Sequence, residues 1–260
     1  MTDLLVYQYL FIGVLFIWSG FVRSGLGFGG SVLSLPFLLL IVDDPLVFLP
    51  IIGVHLMVFS TLITWQNQRR TLLAAESAAA VASTIDWPYL KYSLKVMIIP
   101  KLVGVLGLLT LPATLMSSII FCIVIAYAIS YVLNRPFRSS SKLLDTVFLV
   151  LGGYISGTSL IGAPLIVAVY ASHVAKHQLR DTLFVLWFIL VLIKLVSFII
   201  AGVDLQLLHH LWLLPCAFVG HLIGQHVHQR MVEAESALFY RVLGTVLIVV
   251  SLFGLLKNLL

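Results

Sequence analysis

The stretch FVRSGLGFGGSVLSLPFLLL, residues 21–40, decides how this chain is to be interpreted. It lies where an apolar helix would continue, yet it contains Gly25, Gly27, Gly29, Gly30 and Pro36. Glycine and proline are both unfavourable inside a helix. Lipid cannot hydrogen-bond the backbone groups that a break exposes, so a break is tolerated only where protein buries it or where it lines a cavity. The stretch therefore predicts a broken or re-entrant membrane helix.

The composition places nearly the whole chain in a membrane. Of its 260 residues, 61% are hydrophobic and only 10% are charged, and the mean hydropathy is +1.14. These values are outside the range of soluble domains. The apolar runs are continuous rather than alternating, which favours helices over barrel strands. We expect an all-α, polytopic membrane protein. Asp3 stands where a secretory signal carries a base, and no small-residue cleavage site follows, so residues 4–22 are interpreted as a mature first helix.

Apolar runs separated by turn residues and charges predict about ten membrane segments. They cover about 4–22, 28–42, 46–66, 88–110, 113–133, 143–156, 160–174, 181–202, 206–226 and 237–257. A core of ~30 Å needs a helix of ~20 residues, so the second, sixth and seventh segments are expected to be half-length or broken helices. The Ala-rich piece 71–84 is too short to cross and carries Glu76; we expect it to extend the third segment or to lie at the interface.

The distribution of charge predicts the orientation. Loops at the cytoplasmic side of a membrane collect Lys and Arg. If all ten segments cross, one side receives nearly all the basic loop residues and the other receives Asp3, Asp43, Asp44, Asp204 and Lys257. The asymmetry survives if segments 1 and 2, or 6 and 7, are re-entrant pairs. Both termini are therefore expected outside the cytoplasm, in a multi-pass protein of the inner membrane.

The chain also contains an internal repeat. SGLGFGGSVLSLP (24–36) aligns with SGTSLIGAPLIVA (156–168), and residues 85–107 align with 203–224 through an early Asp, an internal Pro and later glycines. Five segments per half is an odd number, so the halves should have opposite orientation, as in many secondary transporters. We assign 1–134 to the first membrane repeat, 135–142 to a cytoplasmic connecting loop and 143–260 to the second repeat.

These motifs resemble the TauE/SafE sulfite exporter family of membrane permeases, in which a G-x-G-G-G cluster, small and aliphatic residues and a proline recur in each half. The matching residues are Gly27, Gly29, Gly30, Ser31 and Pro36, then Gly162, Ala163 and Pro164, with Ile85-Asp86-Trp87 and Val203-Asp204-Leu205 as the later element. The resemblance covers essentially the whole chain. It implies a permease rather than an enzyme, with sulfite or an organosulfonate as substrate. The second glycine cluster is degraded and the Ala-rich insertion is long, so the substrate need not follow the family.

The glycine breaks suggest an anion site. A helix that begins again after a break presents free N–H groups with positive partial charge, and glycine lets a ligand approach them. Hydroxyls in the second copy add further donors. The alternative is that these small residues only allow close helix packing. The candidate substrate-binding residues of the two breaks are Ser24, Gly27, Gly29, Gly30, Ser31, Gly157, Thr158, Ser159 and Gly162.

Three basic residues stand in or beside the apolar runs, where a charge is costly and usually functional. Lys194 lies near the middle of the eighth segment and Lys101 follows Pro100; both are candidate anion contacts, with a structural role as the alternative. Arg23 precedes the first glycine cluster and could either anchor the cytoplasmic helix end or reach the ligand; we favour the anchor. Trp187, like the other tryptophans, is interpreted as an interface anchor.

Neither a metal site nor a cofactor site is predicted. His221, His226 and His228 fit no zinc spacing and are interpreted as a cytoplasmic helix end. No segment has an Asp or Glu near its middle, which leaves the coupling open between facilitated diffusion, membrane potential and co-transport through a titrating His such as His55 or His173.

The leading hypothesis is a permease that exposes a midplane anion site alternately to the two sides of the membrane. Its expected partners are a small anion and membrane lipid, with no nucleic acid, and a homo-oligomer is left open. The rivals are a permease for another small anion or a metal cation, and an intramembrane enzyme. For an enzyme, Ser24 with a nearby His would be the best pair, but no catalytic motif is present.

Overall fold

The computed structural model describes residues 4–26, 30–75, 83–135, 137–233 and 237–259. Within these residues the regular structure consists of ten α-helices, which confirms the all-α prediction for the described part of the chain. They are α1 (Val6–Leu26), α2 (Gly30–Ile41), α3 (Pro45–Ala75), α4 (Trp87–Thr110), α5 (Ala113–Val132), α6 (Lys142–Ser159), α7 (Ala163–His173), α8 (Lys176–Ile200), α9 (Leu207–Glu233) and α10 (Ala237–Leu259).

Length and apolar composition identify the helices that can cross a membrane. Among the described residues there are seven, α1, α3, α4, α5, α8, α9 and α10. The helices α2 and α7 have only 12 and 11 residues. The prediction of a short helix is therefore confirmed for the second and seventh segments, whereas the sixth segment forms a helix of 18 residues. In the Ala-rich piece, α3 continues to Ala75, and residues 76–82 lie outside the described residues.

Local signals fix several helix ends. The Asp86 carboxylate accepts a hydrogen bond from the Tyr89 N–H, and Pro88 follows in the first turn of α4. At the start of α6, the Ser141 hydroxyl accepts from the Leu144 N–H. Such caps satisfy N–H groups that have no partner within the helix. The end of α6 is different, because Leu160 adopts a left-handed conformation with φ of 61°. A left-handed turn at a residue with a Cβ costs about 1–2 kcal/mol, so the surrounding contacts must hold it.

The two short helices fold back on the helices before them. In the first hairpin, α1 and α2, a Cβ added to Gly30 would lie 2.6 Å from the Ser19 carbonyl oxygen. In the second hairpin, α6 and α7, a Cβ on Gly162 would lie 2.3 Å from the Gly152 carbonyl oxygen. The second hairpin is also joined at its open end, where His173 Nε2 lies 2.8 Å from Asp145 Oδ2. Each hairpin is thus an antiparallel pair. We call the end of α1 with the start of α2 the first tip, and the end of α6 with the start of α7 the second tip.

The long helices pack in pairs that cross between the chain halves. Helix α1 packs on α9 and α6 packs on α4, while α3 packs on α8 and α5 on α10. Two of these contacts bring backbones together. A Cβ on Gly224 of α9 would lie 2.4 Å from the Phe21 carbonyl oxygen, and one on Gly104 of α4 would lie 2.3 Å from that of Tyr154. Glycine is required where helices approach this closely.

Contacts at the helix ends define two faces of the molecule. On the amino-terminal face, which holds residues 4–5, 42–44, 111–112 and 201–206, Tyr9 lies against Trp212 and Lys257 donates to the Leu40 carbonyl. On the connecting-loop face, which holds residues 83–86, 137–141 and 174–175, Gln178 donates to the Ser83 carbonyl and Asn67 donates to Asp181. Helix α3 runs from the first face to the second, antiparallel to α8.

Candidate functional site

The tips of the two hairpins touch. The Ser31 hydroxyl, in the first turn of α2, donates a 2.9 Å hydrogen bond to the carbonyl of Leu160, the left-handed residue that ends α6. These residues are 129 positions apart in the chain. The bond satisfies a carbonyl that the left-handed turn leaves outside the helix, and it joins one half of the chain to the other.

A cavity of about 40 Å³ lies between the tips, and we call it the tip cavity. One water-sized sphere needs about 10–15 Å³ by this measure, so the space suits a few waters or one small ion. Its walls come from both hairpins and from α3 and α8. The lining residues are Arg23, Gly30, Ser31, Leu56, Ser156, Leu160, Gly162, Ala163, Phe184, Trp187, Leu190 and Val191.

Two helix N-termini open onto the tip cavity. Helix α2 begins at Gly30, and α7 begins after Gly162, whose backbone caps it without any side-chain hydrogen bond. The first N–H groups of a helix have no acceptor within the helix and carry positive partial charge. Two such ends beside one small space give it a positive potential, which favours an anion.

Arg23 supplies the full positive charge of this wall. Its side chain is buried, with 5% exposed. The guanidinium donates to the His55 carbonyl and the Ser19 hydroxyl, both at 3.4 Å, and stands 5.1 Å from the Phe59 ring centre. Among the described residues, no carboxylate forms an ion pair with it. The preferred prediction for Arg23, an anchor at a helix end, is therefore wrong: because α2 folds back over α1, the residue is enclosed.

Lys101 and Lys194 are fully buried but do not line the tip cavity. The Lys101 ammonium donates to the Ser156 carbonyl at 2.9 Å and to its hydroxyl at 3.0 Å. The Lys194 ammonium donates to the Gly157 carbonyl at 2.8 Å. The last carbonyls of a helix lack partners and carry negative partial charge, so both lysines stabilise the end of α6. They hold the second tip in place. Neither ammonium group is directed into the tip cavity, where an anion would bind.

The other predicted site residues differ in whether they reach the tip cavity. Gly30, Ser31 and Gly162 reach the tip cavity, whereas Gly27 and Gly29 lie outside the described residues. The remaining four are buried in helix packing or local bonds. Gly157 packs against α4, Thr158 and Ser159 donate to the Ile155 carbonyl, and Ser24 bonds to His221.

Several cavity residues escaped the sequence reasoning, among them Ser156 and Trp187. Ser156 stands at the position that aligns with Ser24, and this alignment was the signal that could have identified it. Trp187 was interpreted as an interface anchor, which is wrong, because its side chain lines the tip cavity beside Phe184. Nothing in the composition of α8 distinguishes a tryptophan that faces a cavity from one that faces lipid.

His221 is buried in α9 rather than placed at an exposed helix end, so that prediction is wrong for this residue. Its Nδ1 lies 2.6 Å from the Ser24 hydroxyl, and its ring lies 4.9 Å from that of Phe59. A Ser–His pair becomes catalytic when a third group orients the imidazole and the hydroxyl reaches substrate. Among the described residues no carboxylate bonds to His221, and Ser24 does not line the tip cavity.

A larger cavity of about 760 Å³ lies elsewhere among the described residues. It is an open groove between α3 and α9. Its walls are mostly apolar side chains, and they include Thr61, Trp65 and Pro215. A surface of this composition is what lipid tails contact in a membrane protein. It offers no charged group to bind an anion.

A family model described as sulfite exporter TauE/SafE matches residues 11–254. The chain belongs to the TauE/SafE sulfite exporter family. Together with seven long apolar helices among the described residues, TauE/SafE membership makes it a multi-pass membrane protein of a permease family. No curated protein and no solved structure matches the chain.

Proposed function

We propose that this protein is a permease for a small sulfur-containing oxyanion, sulfite or an organosulfonate, which binds in the tip cavity. The observation that carries the proposal is the composition of the cavity wall. It combines the Arg23 guanidinium, the N-termini of α2 and α7 and the hydroxyl of Ser156, and none of its described residues is acidic. Guanidinium groups, hydroxyls and helix N-termini are the donors that oxyanions require. Family membership supports the sulfur chemistry.

The same wall argues against the rival substrates. A metal cation would meet an arginine and no carboxylate there, and no group of three or more His, Cys, Asp or Glu side chains suited to a metal is found among the described residues. The small volume favours a compact anion. Within the anion class, the family supports a sulfur oxyanion over other ions of similar size.

The contacts support two inverted repeats, 1–134 and 143–260. If each of the first five helices corresponds to the helix five places later, exchanging the halves converts the α1–α9 contact into the α6–α4 contact. The same exchange leaves the α3–α8 and α5–α10 pairs unchanged. It also relates two polar contacts, Lys101 with Ser156 and His221 with Ser24. A pseudo-two-fold axis of this kind is typical of secondary transporters that use alternating access.

The charges of the two faces support a cytoplasmic connecting loop. Arg135, Arg138, Lys142 and Lys176 lie on the connecting-loop face, whereas Asp43, Asp44 and Asp204 lie on the amino-terminal face. By the positive-inside rule the connecting-loop face is cytoplasmic, and both termini are extracytoplasmic in the inner membrane. In this orientation the first hairpin enters from outside and the second from the cytoplasm.

The proposal is tested by uptake of labelled sulfite into liposomes that contain the purified protein, with Arg23→Gln beside the unchanged protein. A charged hydrogen bond contributes about 1.5–3 kcal/mol, so the apparent affinity for sulfite should fall about tenfold to a hundredfold. Arg23→Lys should recover part of the loss, because it restores the charge without the planar fork. The matched control is Arg69→Gln, an exposed arginine on α3.

Thermal melting in detergent supplies an independent measurement. Sulfite, sulfoacetate or taurine should raise the melting temperature of the unchanged protein, and Arg23→Gln should lose that rise while still folding. If all three compounds leave the melting temperature unchanged and a metal cation raises it, the protein is not an anion permease.

A further inference from the structure

His55 is a fully buried polar side chain with no hydrogen-bond partner. It lies in α3 with 0% of its surface exposed, and neither ring nitrogen finds a partner among the described residues. A neutral imidazole carries one N–H donor and one acceptor, and leaving both unsatisfied in a protein interior is unfavourable. Such a group in a native fold calls for an explanation.

A second histidine beside it supplies one. The centres of the His55 and His210 rings are 5.3 Å apart. His210 Nε2 lies 3.1 Å from the Leu205 carbonyl, and a carbonyl can only accept, so this nitrogen carries the proton in the neutral ring. Its Nδ1 is therefore the proton-accepting atom, and it is buried without a partner among the described residues. Two imidazole rings thus lie side by side, and each has a buried nitrogen without a hydrogen-bond partner among the described residues.

The pair connects the amino-terminal face with the wall of the tip cavity. On the outer side, His210 is half-buried in the first turn of α9, close to the exposed Asp204. On the inner side, the carbonyl of His55 accepts the hydrogen bond from Arg23, and Leu56, the next residue, lines the cavity.

The surroundings contain few other ionisable groups. Among the described residues of α1, Arg23 donates to the His55 carbonyl and the apolar ring of Phe16 lies against the His55 ring. From α9 the ionisable neighbour is His210, with His209 and Asp204 beyond it. The charged group within the membrane part of α8, Lys194, is directed to the Gly157 carbonyl. Helix α2 has no titratable residue, and α5 has only Cys122, Tyr127 and Tyr131.

We propose that His55 and His210 form a proton-binding site that couples anion movement to proton movement, an inference that rests on the proposed permease function. A proton enters from the amino-terminal face at His210 Nδ1 and passes to a ring nitrogen of His55. The covalent change is a transfer of one proton between two nitrogens, and no electrons move.

The sign of the coupling follows from the position of the pair. A proton on either ring adds positive charge beside Arg23, which strengthens anion binding in the tip cavity. Linkage makes the effect reciprocal, so a bound anion strengthens proton binding by the same factor. The site therefore favours the movement of proton and anion in the same direction.

The test measures sulfite uptake and proton uptake together in liposomes with a trapped pH dye, with potassium and valinomycin to clamp the voltage. Bisulfite carries its own proton, so the informative quantity is the difference between variants. Relative to the unchanged protein, His55→Gln and His210→Gln should each lower the proton-to-sulfite ratio by about one while sulfite still moves down its gradient. The control, His226→Gln, changes an exposed histidine of α9 and should keep the full ratio.

The outcomes separate the two proposals. If sulfite moves with the same proton ratio in the unchanged protein and in either folded histidine variant, the proton site is wrong and the permease function stands. If the unchanged protein moves no sulfite at all, the permease function fails and the coupling inference fails with it. If one of the two histidine variants does not fold, the other still tests the proton site, because each removes one member of the pair.

Discussion

At the scale of single residues, three buried cations with similar sequence surroundings have different contacts. Arg23 lines the tip cavity, whereas Lys101 and Lys194 donate to carbonyls at the end of α6. The sequence could predict that a charge in an apolar run is functional, because burial is costly. It could not predict the partner, since the carbonyls in question become available only where α6 ends against two other helices.

Lys194→Met is expected to lower the melting temperature of the protein. The Gly157 carbonyl would lose its donor, and a buried unsatisfied polar group costs about 1–3 kcal/mol. The apparent affinity for sulfite should change less than in Arg23→Gln, because Lys194 does not line the cavity. Thermal melting and sulfite uptake measure the two quantities, and Lys176→Met, an exposed lysine at the start of α8, is the control. A large loss of affinity with unchanged melting would instead make Lys194 a ligand.

At the scale of helices, the sequence predicted about ten apolar segments, and the described residues form ten helices, of which seven are long and apolar enough to cross a membrane. The glycines of 24–36 and the proline of the second copy carried the information about the two short helices. The pairing of α1 with α9 and of α4 with α6 was not predictable, because glycine spacing shows that something approaches closely without showing what. In space Gly104 takes the role of Gly224, whereas the sequence alignment matched Gly107 to Gly224, almost one helical turn away.

Gly104→Ala and Gly107→Ala should have opposite effects, although both lie on α4. A Cβ on Gly104 would meet the Tyr154 carbonyl oxygen at 2.3 Å, so the α4–α6 contact must open, at a cost of about 1–3 kcal/mol. A Cβ on Gly107 meets nothing closer than 4.0 Å. That change should leave stability equal or raise it by up to about 1 kcal/mol, because alanine favours the helix. Melting of both variants in detergent compares them; equal losses would contradict the close packing of α4 on α6.

At the scale of the whole molecule, the helix pairs divide the protein differently from its sequence. Each hairpin is packed on a helix of the other half, so the bodies that could move against each other are not the two repeats. Among the described residues, the Ser31 bond to Leu160 and the cavity walls bring the two tips together. The division of the sequence into two halves therefore does not coincide with the groups of helices that are packed together.

The orientation of the protein can be measured with single cysteines. After replacement of Cys122 and Cys216 by alanine, Ser140→Cys on the exposed connecting loop should react with a membrane-impermeant maleimide only when the cytoplasmic side is accessible. Thr110→Cys, at the end of α4 on the amino-terminal face, should react in intact cells, because the positive-inside rule places that face outside. The opposite pattern would reverse the orientation of every helix.

The contact between α1 and α9 has a consequence for the synthesis of the protein. Helix α1 rests against one that begins only at Leu207, so about 180 further residues must be translated after α1 before its neighbour exists. At about 5–20 residues per second, this interval lasts roughly 10–40 s. Throughout it, the arginine and serines near the end of α1 need shelter from lipid tails by the insertion machinery. A nascent chain that stalls before α9 is made therefore presents quality-control proteases with an incompletely assembled first half.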